Sequence, residues 1–172
     1  MLEYVLLGLL LDQSRNGYQI KQFMMISTSN FLKASYGSVY PALGRLEQKG
    51  LIMSKEEREK GTYTKIYSIT ETGKARFLPW LKVPADVTDA TQNHLVKLFF
   101  YDYLDIETKR SLFKLYIHQA DDAILKLQQT KPDAAKCSGS DRMSTLFYGI
   151  GYCEYIRGFY RQKLEELTDT ES

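Results

Sequence analysis

A mainly helical chain carrying one small two-stranded β hairpin is the fold class that the sequence predicts, and three observations predict it. Apolar residues recur at i, i+3, i+4 spacing along successive segments of the first 50 residues. Residues 51–69 read as two strands instead, with a charged, glycine-containing loop between them. Beyond the break Lys82-Val83-Pro84 every periodic segment is helical again. The organisation expected is two domains, 1–82 and 88–168.

The elements follow in order. Residues 2–11 are apolar on nearly every side, as suits a first helix buried in its own domain. Ser14-Arg15-Asn16-Gly17 reads as a turn, and Asn16 with Gln19 forms an Asn-x-x-Gln capping box for a second helix to about Met25. Ile20, Phe23 and Met24 fall on one side of it. After the polar stretch Ser27–Asn30, Tyr36-Gly37-Ser38 starts a third helix. Ser38 is its expected N-cap, Pro41 sits in the first turn, and Gly50 follows the end at Lys49. Strands over Leu51–Glu57 and Tyr63–Ile69 come next. Thr70 then caps a short helix to about Trp80, with Glu71 at the positive end of its dipole. Helices are expected at about 88–102, 106–130 and 141–168, the last two separated by Lys131-Pro132-Asp133 and Ser138-Gly139-Ser140. Helix, helix, helix, strand, strand, helix is the order of a winged helix-turn-helix.

Charge adds position to this order. The net charge is only +2, but residues 1–80 hold 11 Lys and Arg against 7 Asp and Glu, and the remainder holds 12 against 14. A basic front half on a neutral scaffold suits a nucleic-acid binder. The apolar run Tyr4–Leu11 ends at Asp12, short of the ~18 residues a membrane span needs, so a cytoplasmic protein without a membrane partner is expected. Cys137 and Cys153 stand far apart with no Cys-x-x-Cys neighbour, which indicates neither a metal site nor a disulfide framework. His94 and His118 are isolated, each expected at the surface or partly buried and satisfied. There is no Gly-x-Ser-x-Gly, phosphate-binding glycine loop or metal-spaced ligand set. Neither catalysis nor a cofactor is expected.

The third helix carries the chemistry. At ~100° per residue Val39, Leu43 and Leu46 make an inward stripe, while Ser38, Ala42, Arg45 and Lys49 share another side with Gln48 at its edge. Small residues let a backbone approach base edges, Arg can bridge guanine O6 and N7, and Gln can pair with adenine. The helix N-terminus at Ser38 can take a phosphate. An ordinary amphipathic helix with a solvated basic face fits the same pattern. The hairpin shifts the balance, because Lys60, Thr62, Tyr63 and Lys65 place two cations and two hydroxyls at or near its tip. Glu56, Glu57 and Glu59 read as solvated acids that limit non-specific DNA affinity.

At these residues the chain resembles a known family. Gly17-Tyr18-Gln19-Ile20, Gly37-Ser38-Val39-Tyr40-Pro41-Ala42-Leu43, Arg45-Leu46-Glu47, Lys49-Gly50-Leu51-Ile52 and Tyr67-Ser68-Ile69-Thr70-Glu71-Thr72-Gly73 strongly resemble the PadR family of bacterial transcriptional regulators, in order across about residues 4–80. The stretch 88–168 is similar, by length and helix pattern, to the virulence-activator-like helical region of the larger PadR subfamily. The resemblance implies a homodimeric repressor on an inverted-repeat operator, with a phenolic, drug-like aromatic or other small effector. It places Tyr18, Ser38 and Tyr40 near double-stranded DNA. Tyr40 lies between the two faces of its helix, so its ring can pack while its hydroxyl reaches phosphate, and Tyr18 is similarly ambiguous. The full candidate set is Tyr18 and Lys21; Lys33, Ser35 and Tyr36; Ser38, Tyr40, Pro41, Ala42, Arg45, Gln48 and Lys49; and Lys60, Thr62, Tyr63 and Lys65.

Two apolar groups remain. Trp80, Phe99, Phe100, Tyr101 and Tyr103 can form core or interface, or line an effector pocket between subunits. In the last helix Leu146, Cys153, Tyr160 and Leu167 recur at seven-residue spacing, with Ile150 and Ile156 between them. A dimer seam is favoured there, and an intramolecular bundle is the alternative. A winged helix that docks an acidic protein surface, without sequence-specific DNA binding, is the other functional class open to this sequence.

Overall fold

The computed structural model describes residues 1–27, 36–59, 62–89, 93–137 and 140–169, with backbone alone at 25–27, 36, 59, 62, 131–137, 140–142 and 168–169. The candidates Lys33, Ser35 and Lys60 therefore lie outside the described residues, as do the side chains of Tyr36, Thr62 and Cys137. Two compact units form, Met1–Val83 with Leu95–Tyr103, and Pro84–His94 with Leu104–Ser172.

In the first unit α1 (Leu2–Asp12) buries every residue from Val5 to Leu10, as its all-round apolar composition requires. A two-residue strand, β1 (Arg15–Asn16), follows where the sequence reads as a turn. It exists through pairing with a strand 50 residues away, which no local pattern encodes. Helix α2 (Gly17–Ser27) starts with the expected capping box: the Gln19 N–H donates to Asn16 Oδ1 at 2.8 Å and the Asn16 N–H to Gln19 Oε1 at 2.9 Å. Helix α3 (Tyr36–Gln48) begins two residues before the expected cap Ser38. Pro41 thus falls past the first turn, where its ring removes the donor that the Gly37 carbonyl would otherwise meet.

Gly50 ends that helix at φ +66°, the left-handed conformation that glycine adopts without strain. β2 (Ile52–Glu59) and β3 (Thr62–Ile69) pair antiparallel from Ile52↔Ile69 to Glu59↔Thr62, and the sheet order is β1-β3-β2. Thr70 then fastens α4 (Glu71–Lys82) to the α3–β2 corner. Its hydroxyl accepts from the Gly73 N–H and donates to the Gly50 carbonyl, and its N–H donates to the Leu51 carbonyl. A Cβ at position 73 would lie 2.1 Å from the Leu51 oxygen, so only glycine fits that approach.

Between Asn93 and Tyr103 the expected long helix shortens to α5 (Asn93–Leu98) and a 3₁₀ turn (Tyr101–Tyr103). The aromatic group belongs to the first unit, with Trp80 and Phe99 half-buried and Tyr103 39% exposed. Phe100 and Tyr101 are buried, Phe100 sits edge-on to Phe77 at 5.4 Å, and Tyr4 stacks on Trp80 at 4.4 Å. Lys97 is buried here with no carboxylate partner among the described residues. Its ammonium donates to the carbonyls of Trp80 and Val83 at the end of α4 and lies 4.5 Å from the Trp80 ring, while burial pulls its pKa down to about 8.

The second unit is an antiparallel pair, α6 (Ile106–Cys137) and α7 (Ser140–Asp169), in which Leu127 faces Gly149, Asp121 pairs with Arg157 at 3.0 Å, and Tyr116 meets Tyr160. Asp105 caps α6 by accepting the Thr108 N–H. The helix runs through Pro132, contrary to the break expected there, and absorbs the proline's roughly 3 kcal/mol penalty. The Thr130 hydroxyl takes up the Leu127 carbonyl one turn earlier. Three of the six residues expected to form a dimer seam are turned to their own chain and need correction. Cys153, Ile156 and Tyr160 are buried in their own chain, and Tyr160 packs on Phe113 at 5.6 Å and Tyr116 at 4.9 Å. Leu146, Ile150 and Leu167 are half-buried. Period seven marked a real seam, but α6 fills it. His94 also differs from expectation, being buried with Nδ1 unpartnered among the described residues and its pKa lowered by burial to about 4. His118 is exposed, 3.7 Å from Asp122.

Candidate nucleic-acid interface

Helix α3 is covered by α1, α2 and β2, so a single arc of it meets solvent. Val39, Leu43 and Leu46 face inward as their spacing predicts. Ala42 joins them, fully buried, and leaves the contact set; it lies one turn from Val39 and Leu46, inside the arc those neighbours cover. Opposite the stripe run Gly37, Pro41, Gly44 and Gln48, by the ~100° step of the helix. Among the described residues, a Cβ at Gly37 or Gly44 would meet nothing within 4 Å. This outward line has almost no side-chain bulk until Gln48, so the helix backbone can come close to a groove floor. Gly37 and Gly44 were missed as site residues, although a wheel drawn opposite the apolar stripe finds both.

Flanking the line on one side is Tyr40, 58% exposed, with its ring over the start of α2. A Cβ at Gly17 would lie 2.6 Å from that ring, so the glycine opening the Gly-Tyr-Gln-Ile motif is the seat of Tyr40. The ring packs and the face stays open, which joins the two readings of Tyr40. Tyr18 is 63% exposed, and its hydroxyl accepts from the Gln22 amide at 2.9 Å. Lys21 is half-buried, and so is Ser38.

On the other side stand Arg45 and Lys49, half exposed but tied to one carboxylate. Arg45 Nε donates to Glu3 Oε1 at 2.8 Å and Lys49 Nζ to Glu3 Oε2 at 2.9 Å. The Arg45 hydrogen bond, then that of Lys49, holds the Glu3 carboxyl below its ordinary value. The wing repeats the device. Lys65 donates to Glu47 at 2.9 Å, and Ser54 donates to the same carboxylate. The Ser54 bond first and the Lys65 bond second lower the Glu47 pKa, and the Glu47 bond raises that of Lys65. Tyr63 is 69% exposed with the Arg58 guanidinium 5.9 Å from its ring centre, and Lys55 is exposed on β2. Arg58 and Lys55 extend the cationic wing beyond the residues the sequence singled out.

The arrangement offers a low-bulk helix line for base edges, a terminal amide at Gln48, and cations and phenols on both flanks for phosphates. Internal carboxylates hold several of those cations in place, so a phosphate must displace or share them. Among the described residues, no cluster of His, Cys, Asp and Glu suits a metal ion, and no helix is long and apolar enough to cross a membrane.

Comparison with known proteins identifies the family. Residues 6–78 match the model of the transcriptional regulator PadR-like family. An uncharacterised protein of Lysinibacillus sphaericus is 32% identical over 89 residues, covering 51% of this chain and 82% of that protein. Among solved structures, a PadR-like transcriptional regulator from Bacillus cereus is 27% identical with 99% of each chain covered and a TM-score of 0.45. Bacillus subtilis PadR in complex with operator DNA is 20% identical, with 96% of this chain and 98% of that one covered and a TM-score of 0.46. The match over 6–78 spans the winged helix, including the Gly-Ser-x-Tyr-Pro block that builds α3, and the chain belongs to the PadR-like family of transcriptional regulators, a family of DNA-binding regulators and not of enzymes.

Proposed function

We propose that the protein is a homodimeric repressor that binds an inverted-repeat operator through α3 and the wing, with an affinity modulated by a small molecule. The observation that carries this reading is the outward line Gly37, Pro41, Gly44 and Gln48, bordered by Tyr40, Arg45 and Lys49. It is the only arc of α3 open to a duplex among the described residues, and it combines close backbone approach with phosphate-seeking flanks.

Support for a second copy comes from the outward side of α7. Phe147 is 52% exposed, Tyr148 78% and Tyr155 72%, and a Cβ on Gly151 or Gly158 would meet nothing within 4 Å among the described residues. Large aromatics beside bare backbone at helical spacing suit a close helix contact, and exposed apolar groups of this size mark interaction surfaces. The dimer seam proposed is therefore Tyr148, Gly151, Tyr155 and Gly158, in place of the side that α6 fills. A two-fold dimer expects half-sites one turn of DNA apart, ~10 base pairs, or a multiple of it.

A labelled duplex carrying the inverted repeat upstream of the protein's own gene tests the reading by fluorescence anisotropy against a scrambled duplex. Retention of the first at least about a hundredfold more tightly is expected. Equal affinity for both duplexes, or a flat salt dependence, would instead favour a protein-docking winged helix.

A further inference from the structure

Behind the recognition helix the first unit contains a cavity of about 400 Å³ that shares only Lys49 with the DNA-binding surface. Its floor is Tyr4, Leu7, Leu46 and Leu51, from α1, α3 and the α3–β2 corner. Its rim is Glu3, Lys49 and Arg76. Glu3 is already engaged by Arg45 and Lys49. Arg76, exposed on α4, has no hydrogen-bond or ion-pair partner among the described residues. The rim therefore holds one carboxylate against two cations, one of them uncommitted, above an apolar floor.

We propose that this cavity binds a compact amphipathic anion, a carboxylate of about ten heavy atoms or fewer, whose head group pairs with Arg76 and Lys49 and whose apolar body covers the accessible faces of Tyr4 and Leu51. An arginine fork matches a carboxylate in geometry as well as charge, and the half-buried Tyr4 and Leu51 supply apolar area that a head group alone lacks. The occupant is an anion, because a cation would meet Arg76 and Lys49, and a neutral molecule would leave Arg76 as it is.

The site is coupled to the DNA surface through one side chain. Lys49 belongs to the cavity rim and to the flank of α3, and Glu3 links it to Arg45. A bound carboxylate adds negative charge beside Lys49 and draws its ammonium toward the rim, so the cationic flank of α3 weakens for phosphate. This coupling rests on the operator-binding reading above; the binding site itself does not.

Trp80 provides a direct readout, as the chain's one tryptophan, stacked at 4.4 Å on Tyr4 of the cavity floor. The full-length protein is titrated with cyclohexanecarboxylate, with the neutral cyclohexanecarboxamide as control, while Trp80 fluorescence and calorimetric heat are followed together. Saturable binding of the carboxylate is expected, at least about tenfold tighter than the carboxamide and weakened about tenfold or more by Arg76→Gln. Arg76 is exposed, and an unchanged melting temperature of the variant verifies that it folds. No saturable signal by either method, equal binding of acid and amide, or indifference to Arg76→Gln overturns the site. Operator affinity is then measured with the carboxylate at saturation, where a loss of about fivefold or more is expected; an unchanged affinity overturns the coupling and leaves the site standing. A protein that binds the carboxylate but discriminates no duplex keeps the site and sinks the operator reading.

Discussion

Helices α3 and α7 each bury one side against their own unit, and they differ in what the other side shows. The open arc of α3 carries two glycines, a proline, an amide and two cations already paired to one carboxylate. The open side of α7 carries Phe147, Tyr148 and Tyr155 among glycines. A surface of the first kind gains little from leaving water and much from a polyanion, so its contacts are reversible and salt-dependent. A surface of the second kind gains by losing water, and suits a contact that persists. Reversible attachment to DNA and lasting attachment to a second copy ask for these two compositions.

The comparison breaks first on the inward side of α7. Tyr160→Ala empties a site among Phe113, Tyr116 and His94, and is expected to lower stability by about 3–5 kcal/mol in urea unfolding. Tyr155→Ala, on the open side, should leave the second unit folded while shifting sedimentation toward the monomer. If Tyr160→Ala changed only the oligomeric state, the assignment of the two sides would be reversed.

A second test is pH, which reads the interior of the same unit. His94 is held near 4 by burial, partly offset by the charges of Asp86 and Asp89, against an ordinary 6.5. Between those values the unfolded chain binds a proton that the folded chain refuses, so stability falls as pH drops from about 6.5 toward 4. The loss is on the order of 3 kcal/mol, and His94→Leu should flatten that limb of a melting-temperature profile. An unchanged profile in the variant would place the acid-sensitive group elsewhere.

Arg45→Ala or Lys49→Ala sharpens the other half of the comparison. Each is expected to weaken operator binding about tenfold and to reduce the salt slope by ~0.9 if one phosphate contact is lost. A full slope with weaker binding would move the residue from phosphate to base contact. Glu3→Gln has the smallest effect and the opposite sign, because it frees both cations. DNA affinity should rise a few-fold, while stability changes by less than about 1 kcal/mol, these being half-exposed pairs. Since the folded pKa of Glu3 lies below 4.5, its pairs stabilise the fold above that value, and this contribution is lost as pH falls through the folded pKa. Weaker DNA binding by Glu3→Gln would make Glu3 a scaffold for Arg45 and Lys49 rather than a competitor of phosphate.

Features written within a few residues were legible before any coordinates. The Asn16–Gln19 box, the Thr70 cap, the Gly50 terminus and the inward stripe of α3 each depend on spacing along one helix or turn. Pro132 shows where local rules lose, since α6 continues through it. Strand β1 and the Glu3 pairs were invisible for a different reason, as their partners lie 50, 42 and 46 residues away.

By itself, then, the amino-acid order determined the helix-and-hairpin order of the winged helix, the Asn16 and Thr70 caps, the buried stripe of α3 and the family motifs, because these arise from backbone conformation and from periodicity along single segments. Only the tertiary structure decided that Ala42 turns inward, that Glu3 holds Arg45 and Lys49, and which apolar side of α7 meets α6. A helix with two apolar sides has two nearly equivalent ways to be buried, and its own residues do not choose between them. The neighbour that removes one side from water makes the choice.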